Sequence, residues 1–279
     1  MRPNRRLRLS SCLRDVKRRK NELGGILQHL DRTEKTFLAG EQLRKQGIEL
    51  SDLDFHSGKL YSPSAVPYFM PILDDSREFL KSTRDLVQDG DIQSRCFSKA
   101  AGDQEGGWPE DPATIMRRHL FYIQGKSDWH VIQRGKSKRG RGCDRYFEMR
   151  IAIESHSKLQ SHQMLMTVMN PCASQRTMSA HEDEFTADCR PSVSELTMLV
   201  SWMLGGMIHQ EEEILAMANK PRLPTLRIHV IFPTLVFSFV RPARVRILYG
   251  YFEGTLKVQA TKLQDINVSN YTEMMESLV

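Results

Sequence analysis

The sequence predicts an α+β protein: a mostly antiparallel sheet of about seven strands with two packed helices, preceded by an N-terminal helical segment. Three observations predict this class. Strand-like runs follow one another closely through the C-terminal half, a capping box opens an apolar helix at Ser192, and a heptad pattern occupies the N-terminal region. Closely spaced sequential strands favour antiparallel pairing over a doubly wound parallel sheet.

Residues 9–46 read as one long amphipathic helix. Apolar residues repeat there every seven positions, at Leu9, Val16, Leu23, Leu30 and Phe37. This repeat, called the heptad seam below, is typical of helix packing. Gly24 and Gly25 interrupt the pattern at a cost of about 2 kcal/mol of helix propensity. Two interpretations stay open: the helix lies on its own domain, or it forms a coiled coil that dimerises or binds a protein partner.

Residues 47–107 are the least regular part and are expected to be an irregular or helical connector. The stretch 101–107, AGDQEGG, has the composition of a loop. We therefore place a boundary there and expect residues 108–266 to form the α+β domain, able to fold without residues 1–46. Residues 267–279 are expected to be a C-terminal tail.

Within the α+β domain, Asp111 followed by Pro112 predicts the start of a helix. Alternation of side-chain polarity predicts strands over Trp129–Arg134 and Tyr146–Glu154, joined as a hairpin. The run Gln163–Met169 is apolar on both faces, which is typical of a central strand.

The capping box of Ser192 and Glu195 predicts a second helix, and Pro221 predicts its end. Glu253 and Gly254 predict a tight turn between the last two of four further strands. These strands are predicted over Leu226–Phe232, Leu235–Val240, Val245–Phe252 and Leu256–Ala260.

The positive charge of the chain is concentrated at its start. The formal net charge is +6, but residues 1–20, the basic arm, contain nine basic residues and one acid. The other residues contain 31 bases and 33 acids, so the rest of the chain is not basic. The arm contains a cluster typical of nuclear import or nucleic-acid contact, with a mitochondrial presequence and a solvated tail as alternatives. The cluster consists of Lys17, Arg18, Arg19 and Lys20.

A second basic feature is the glycine-rich loop of the predicted hairpin, residues 135–142. Four cations there could follow a phosphate backbone: Lys136, Lys138, Arg139 and Arg141. Further arginines would strengthen a nucleic-acid interpretation if they shared a face with this loop: Arg227, Arg241, Arg244 and Arg246. A solvated hairpin tip is the alternative.

Patterns that carry chemistry are weak in this sequence. Two Gly-Lys-Ser triplets lack the first glycine of a phosphate-binding loop, and no closely spaced Cys or His pair indicates a metal site. The acidic run His181–Glu184 is typical of a solvated loop. No serine nucleophile elbow is present, so the catalytic residues stay unknown. Without closely spaced Cys or His residues, no metal is expected, and no cofactor is expected either.

The five cysteines are odd in number and widely spaced, which favours reduced thiols and an intracellular, nuclear or cytoplasmic location. Since no window of about 18 apolar residues is uninterrupted, no membrane span is expected.

The runs RYFEMRIAIESHSKL, SVSELTMLVSWMLGG, HVIFPTLVFSFV and RVRILYGYFEGTLKV, with the closing KLQDI, resemble a domain found in uncharacterised proteins of filamentous fungi. The resemblance covers a third to a half of the chain and implies no activity and no functional residues.

Three classes of function therefore remain. A non-catalytic α+β interaction or scaffold module is preferred, because no catalytic motif is present. A nucleic-acid-associated protein that uses the basic arm and the 135–142 loop is the alternative, and an enzyme with a dispersed site is the third. Whether the chain is an enzyme stays uncertain, with the sequence favouring the view that it is not.

Overall fold

The computed structural model describes residues 5–54, 129–131, 146–156, 161–170, 190–218, 229–240, 244–266 and 270. The described helices are α1 (Arg5–Arg32), α2 (Gly40–Lys45) and α3 (Val193–Ala218). The described strands are β1 (Ile48–Asp52), β2 (Trp129–Val131), β3 (Tyr146–His156), β4 (Ser161–Asn170), β5 (Thr234–Val240), β6 (Arg244–Phe252), β7 (Leu256–Ala260) and β8 (Gln264–Asp265).

The described strands form one mixed sheet in the order β1-β7-β6-β5-β4-β3-β2, with β8 paired to β6. Strands β1 and β7 are parallel, as are β4 and β5, while the other pairs are antiparallel. The α+β class is confirmed, but the sheet is not antiparallel throughout. The reason is that α3 lies between β4 and β5 in the chain, and a crossover helix lets consecutive strands run parallel.

Several predicted elements coincide with described ones. Strands β2 and β3 pair antiparallel, as the hairpin pattern predicts, and β4 lies inside the sheet between β3 and β5. Gly254 has a φ of 89°, a conformation that suits glycine in the turn between β6 and β7. In contrast, residues 229–232 of the predicted strand Leu226–Phe232 are not in a strand. The helix predicted from Asp111 lies outside the described residues.

The single helix predicted over 9–46 is divided into α1 and α2. Helix α1 ends at Arg32, where the Thr33 hydroxyl donates to the His29 carbonyl at 2.9 Å. Such local side-chain bonds compete with continuation of a helix. Phe37, the last residue of the heptad seam, lies beyond α1 and packs with Val240 of β5.

Helices α1 and α3 pack side by side and antiparallel. The backbone N–H of Val193 donates to the carbonyl of Thr36 at 2.8 Å, which places the start of α3 just beyond the end of α1. Near the other end of α3, Glu211 binds Lys20 of α1. The two helices therefore run in opposite directions along each other.

The hydrophobic core joins the N-terminal helices to the C-terminal sheet. The seam residues Val16, Leu23 and Leu30 are buried in one cluster with residues of α3 and of strands β4 to β7. Ile48 of β1 belongs to the same cluster, although it lies in the predicted connector. The core thus extends across the predicted boundary at residue 107.

None of the helices within the described ranges is long and apolar enough to cross a membrane.

Candidate functional site

A row of buried polar side chains crosses the sheet beside the first turn of α3. Thr167 of β4 pairs in register with Ser238 of β5, and Ser238 pairs with Arg246 of β6. All three residues are buried. They lie toward the carboxyl ends of the parallel strands β4 and β5, the edge where ligands most often bind in sheets with parallel strands.

The first turn of α3 places a carboxylate next to this row. Glu195 is the third residue after the N-cap Ser192, and its Oε2 accepts from the Ser192 N–H at 2.8 Å and from the Ser192 hydroxyl at 3.0 Å. The Ser192 Oγ accepts in turn from the Glu195 N–H at 3.2 Å. This reciprocal arrangement is the capping box that the sequence predicts.

Arg246 provides the opposite charge from the sheet. Its Nε lies 3.3 Å from Oε1 of Glu195, and the two side chains are 0% and 1% exposed. A buried charge is tolerated when an opposite charge and hydrogen bonds compensate it. Since Glu195 is engaged at one oxygen by the cap and at the other by Arg246, this pair attaches the start of α3 to β6.

A second buried polar group lies in the sheet under the middle of α3. The hydroxyl of Thr234 donates to Gln163 Oε1 at 3.2 Å, and Gln163 Nε2 lies 3.5 Å from Glu154 Oε1. Gly206 of α3 lies directly over this group, and a Cβ there would be 2.6 Å from Gln163 Nε2 and from the Phe232 ring. Glycine is therefore required at this close approach of helix and sheet.

The predicted cation cluster of the basic arm lies on α1, and each member has a partner within the chain. Lys17 Nζ is 3.6 Å from Glu211 Oε1, and Lys20 binds the other oxygen of Glu211. Arg18 lies 3.5 Å from Glu22, one turn along α1. The remaining member, Arg19, donates to the Phe252 carbonyl at 2.8 Å.

The two lysines perturb the titration of Glu211. The hydrogen bond from Lys20 lowers the pKa of this carboxyl, and the charges of Lys20 and Lys17 act in the same direction. Burial opposes them but does not reverse the shift. Glu211 is thus held as a carboxylate where α1 meets α3.

The other predicted basic residues are not brought together within the described part of the chain. Lys136, Lys138, Arg139 and Arg141 lie outside it, as do Arg227 and Arg241. Arg244 Nε lies 2.9 Å from Asp265 Oδ1, and Arg246 is buried against Glu195. Arg244 and Arg246, the members of this set that the structure describes, therefore each pair with an acid of the chain.

Helix α3 has a stripe that no sequence pattern was used to predict, formed by Leu204, Ile208, Glu211 and Leu215. Ile208 and Leu215 are exposed, whereas Leu204 is half-buried and Glu211 is buried. Their spacing of four, three and four residues places them along one side of the helix. Ile208 is 41% exposed and Leu215 is 45% exposed, whereas the neighbouring Met207 and Ile214 are buried. The apolar spacing of three and four residues runs from Leu199 through Met203 and Met207 to Ile214 on the buried side, and Ile208 and Leu215 each fall one position off it.

Among the residues that the structure describes, no three His, Cys, Asp or Glu side chains are grouped to hold a metal ion. Comparisons of the chain with protein-family models, with curated proteins and with solved structures found no significant match.

Proposed function

We propose that this protein is a non-catalytic intracellular interaction module that binds a protein partner through the α3 stripe. The observation that carries the proposal is the exposure of Ile208 and Leu215, two large apolar residues two turns apart on the same side of α3. Exposed apolar patches on an otherwise packed surface are typical of interaction sites. Val16, Leu23 and Leu30 of the heptad seam are buried in the core that α1 shares with α3, so these seam positions are used within the chain.

The buried charged pair supports a structural role over a catalytic one. Glu195 binds the helix cap and Arg246, and both side chains are shielded from solvent. A general acid or base must reach its substrate within hydrogen-bond distance. Glu195 and Arg246 are used instead to attach α3 to the sheet, which then holds the stripe in a fixed orientation.

The nucleic-acid alternative remains a prediction. Lys17 and Arg18 are 49% and 57% exposed, so they keep surface on which a phosphate could bind even though each has an acidic partner. A plot of the logarithm of the DNA-binding constant against the logarithm of the salt concentration has a negative slope. If all four cations of the 135–142 loop contact duplex DNA, neutralising them together should make this slope smaller in magnitude by about 3 to 4.

Photo-crosslinking tests the proposed interaction. A photoreactive phenylalanine analogue replaces Leu215 in one variant and Glu41 of α2, which is 73% exposed, in a matched control. In cells that produce the protein, we expect a discrete protein adduct at position 215, none at position 41, and loss of the adduct with Ile208→Asp. The same adducts from both positions would contradict the proposal.

A further inference from the structure

The start of α1 contains a motif that protein kinases recognise. Arg6 and Arg8 lie five and three positions before Ser11, in the order R-x-R-x-x-S. Basophilic kinases, which phosphorylate serine after arginine, bind this spacing because acidic side chains of their peptide groove pair with the two guanidinium groups. Residues 1–14 contain no acid, so this part of the chain presents only positive charge to such a groove.

Ser11 lies on the side of α1 that faces solvent. Its side chain is exposed, as are those of Asp15, Arg18 and Glu22, which follow it at helical spacing. In contrast, Val16 of the heptad seam faces the core and is 1% exposed. A phosphate on Ser11 therefore needs no room inside the protein.

A kinase binds its substrate segment in an extended form, so the first turns of α1 must open before Ser11 can react. Two features keep the cost of this opening low. The first turn, RRLR, contains three arginines and no acid, which is unfavourable because the amino end of a helix carries partial positive charge. Among the α1 residues whose burial the structure describes, Val16 is the first that is buried. Opening α1 up to Leu13 therefore leaves every described core residue of the helix in place.

We propose that Ser11 is a phosphorylation site for a basophilic serine kinase. The Ser11 Oγ attacks the γ-phosphorus of ATP, and the new O–P bond forms as the bond to the β–γ bridging oxygen breaks and ADP leaves. The hydroxyl proton passes to the catalytic aspartate of the kinase. The site is separate from the α3 stripe and goes beyond the proposed function.

The modification changes the charge of the basic arm. Nine basic residues and one acid give residues 1–20 a net charge of +8. A phosphate adds roughly −1.5 to −2 charges at pH 7, which leaves about +6 on the arm. Arg14 and Asp15 follow Ser11 by three and four positions, so one attracts the phosphate and the other repels it. Because these contributions oppose each other, we expect α1 to keep its packing on α3.

Phosphorylation of the full chain in vitro tests the proposal, with ATP and a purified basophilic kinase that requires this arginine spacing. Tandem mass spectrometry should locate the phosphate on Ser11. Arg8→Gln should lower kcat/KM for phosphate incorporation by about tenfold or more, because a charge-assisted contact with the kinase is lost. Arg14→Gln is the matched control. It removes the same charge on the other side of Ser11 and should leave kcat/KM nearly unchanged.

Ser11→Ala should abolish phosphate incorporation, whereas Ser10→Ala, at a neighbour that is also exposed, should not. Phosphate on Ser10 instead, or an effect of Arg14→Gln as large as that of Arg8→Gln, would overturn the assignment. A kinase that modifies a synthetic peptide of residues 3–16 but not the folded chain would show that α1 stays closed, which also overturns it. The same holds if the chain isolated from cells treated with a phosphatase inhibitor has no phosphate on Ser11.

Discussion

Glu195 of α3 and Arg246 of β6 form an ion pair, Oε1 to Nε at 3.3 Å, that is shielded from solvent on both sides. The two residues lie 51 positions apart in the chain, at a helix start and in the sheet. Because Glu195 also completes the capping box, one side chain joins the local structure of α3 to the packing of the helix on the sheet. The start of α3 is thereby attached to β6.

Replacing Glu195 by Gln should destabilise the protein by about 3 to 5 kcal/mol, because Arg246 then keeps a buried charge without its counter-ion. Glutamine can still serve in a capping box, so the substitution isolates the charge. The free energy of unfolding in urea measures the effect.

The double variant Glu195→Gln, Arg246→Met is the control for this prediction. Removing both charges should recover much of the lost stability, because the burial of an unpaired charge is then avoided. A double variant as unstable as Glu195→Gln alone would show that the charge pair is not the cause.

The Glu211 carboxylate should make stability depend on pH in a defined window. Because Lys20 and Lys17 lower its folded-state pKa below the ordinary value of 4.5, its contribution is fully present above pH 4.5 and is lost as pH falls through the folded-state pKa. The free energy of unfolding of the wild type, minus that of Glu211→Gln, should be constant from pH 7 to about 5 and then decline. A difference that stays constant down to pH 3 would contradict the lowered pKa.

Replacing Gly24 and Gly25 by Ala should stabilise the protein by about 1 kcal/mol per position, because both glycines lie inside α1 and alanine has the higher helix propensity. No neighbouring atom obstructs the added Cβ. Thermal unfolding is the measurement. Gly206→Ala is the matched control and should destabilise the protein, since the added Cβ would be 2.6 Å from Gln163 and from Phe232. If alanine stabilised the protein at all three positions, the close packing of α3 on the sheet would be contradicted.

Deleting residues 1–46 should abolish cooperative unfolding of the remaining chain. The deletion removes Leu23 and Leu30 from the core that α1 shares with α3 and the sheet. Leu23→Ala should by itself cost about 2 to 5 kcal/mol. Asn21→Ala, at an exposed position of the same helix, is the control for Leu23→Ala. An unchanged melting midpoint after the deletion of residues 1–46 would instead favour independent folding of residues 108–266.

Local patterns predict much of the fold because their causes are local. The capping box at Ser192, the turn at Gly254 and the strand-like runs of β5 and β6 each depend on neighbours in the chain. The end of α1 was missed because it depends on Thr33 and on the packing of Phe37 against β5. Strand β1 was missed because it is a parallel edge strand with a partner about 200 residues away.

Long-range packing also explains why the candidate site could not be predicted. In the sequence, Arg246 is one of several basic residues, and its burial against Glu195 is evident only from the structure. Ile208 and Leu215 match buried helix positions in residue type, but they lie one position off the spacing that the buried Met207 and Ile214 follow.

Zero-length carbodiimide crosslinking of an equal mixture of ¹⁴N- and ¹⁵N-labelled protein tests most directly whether the heptad seam is used within one chain. The structure places Lys20 and Lys17 against Glu211 of the same molecule. Mass spectrometry should therefore find Lys–Glu211 crosslinked peptides in which both halves carry the same isotope. Crosslinked peptides with one ¹⁴N and one ¹⁵N half, at about the level expected for random mixing, would show that α1 packs on a second copy and would contradict the account.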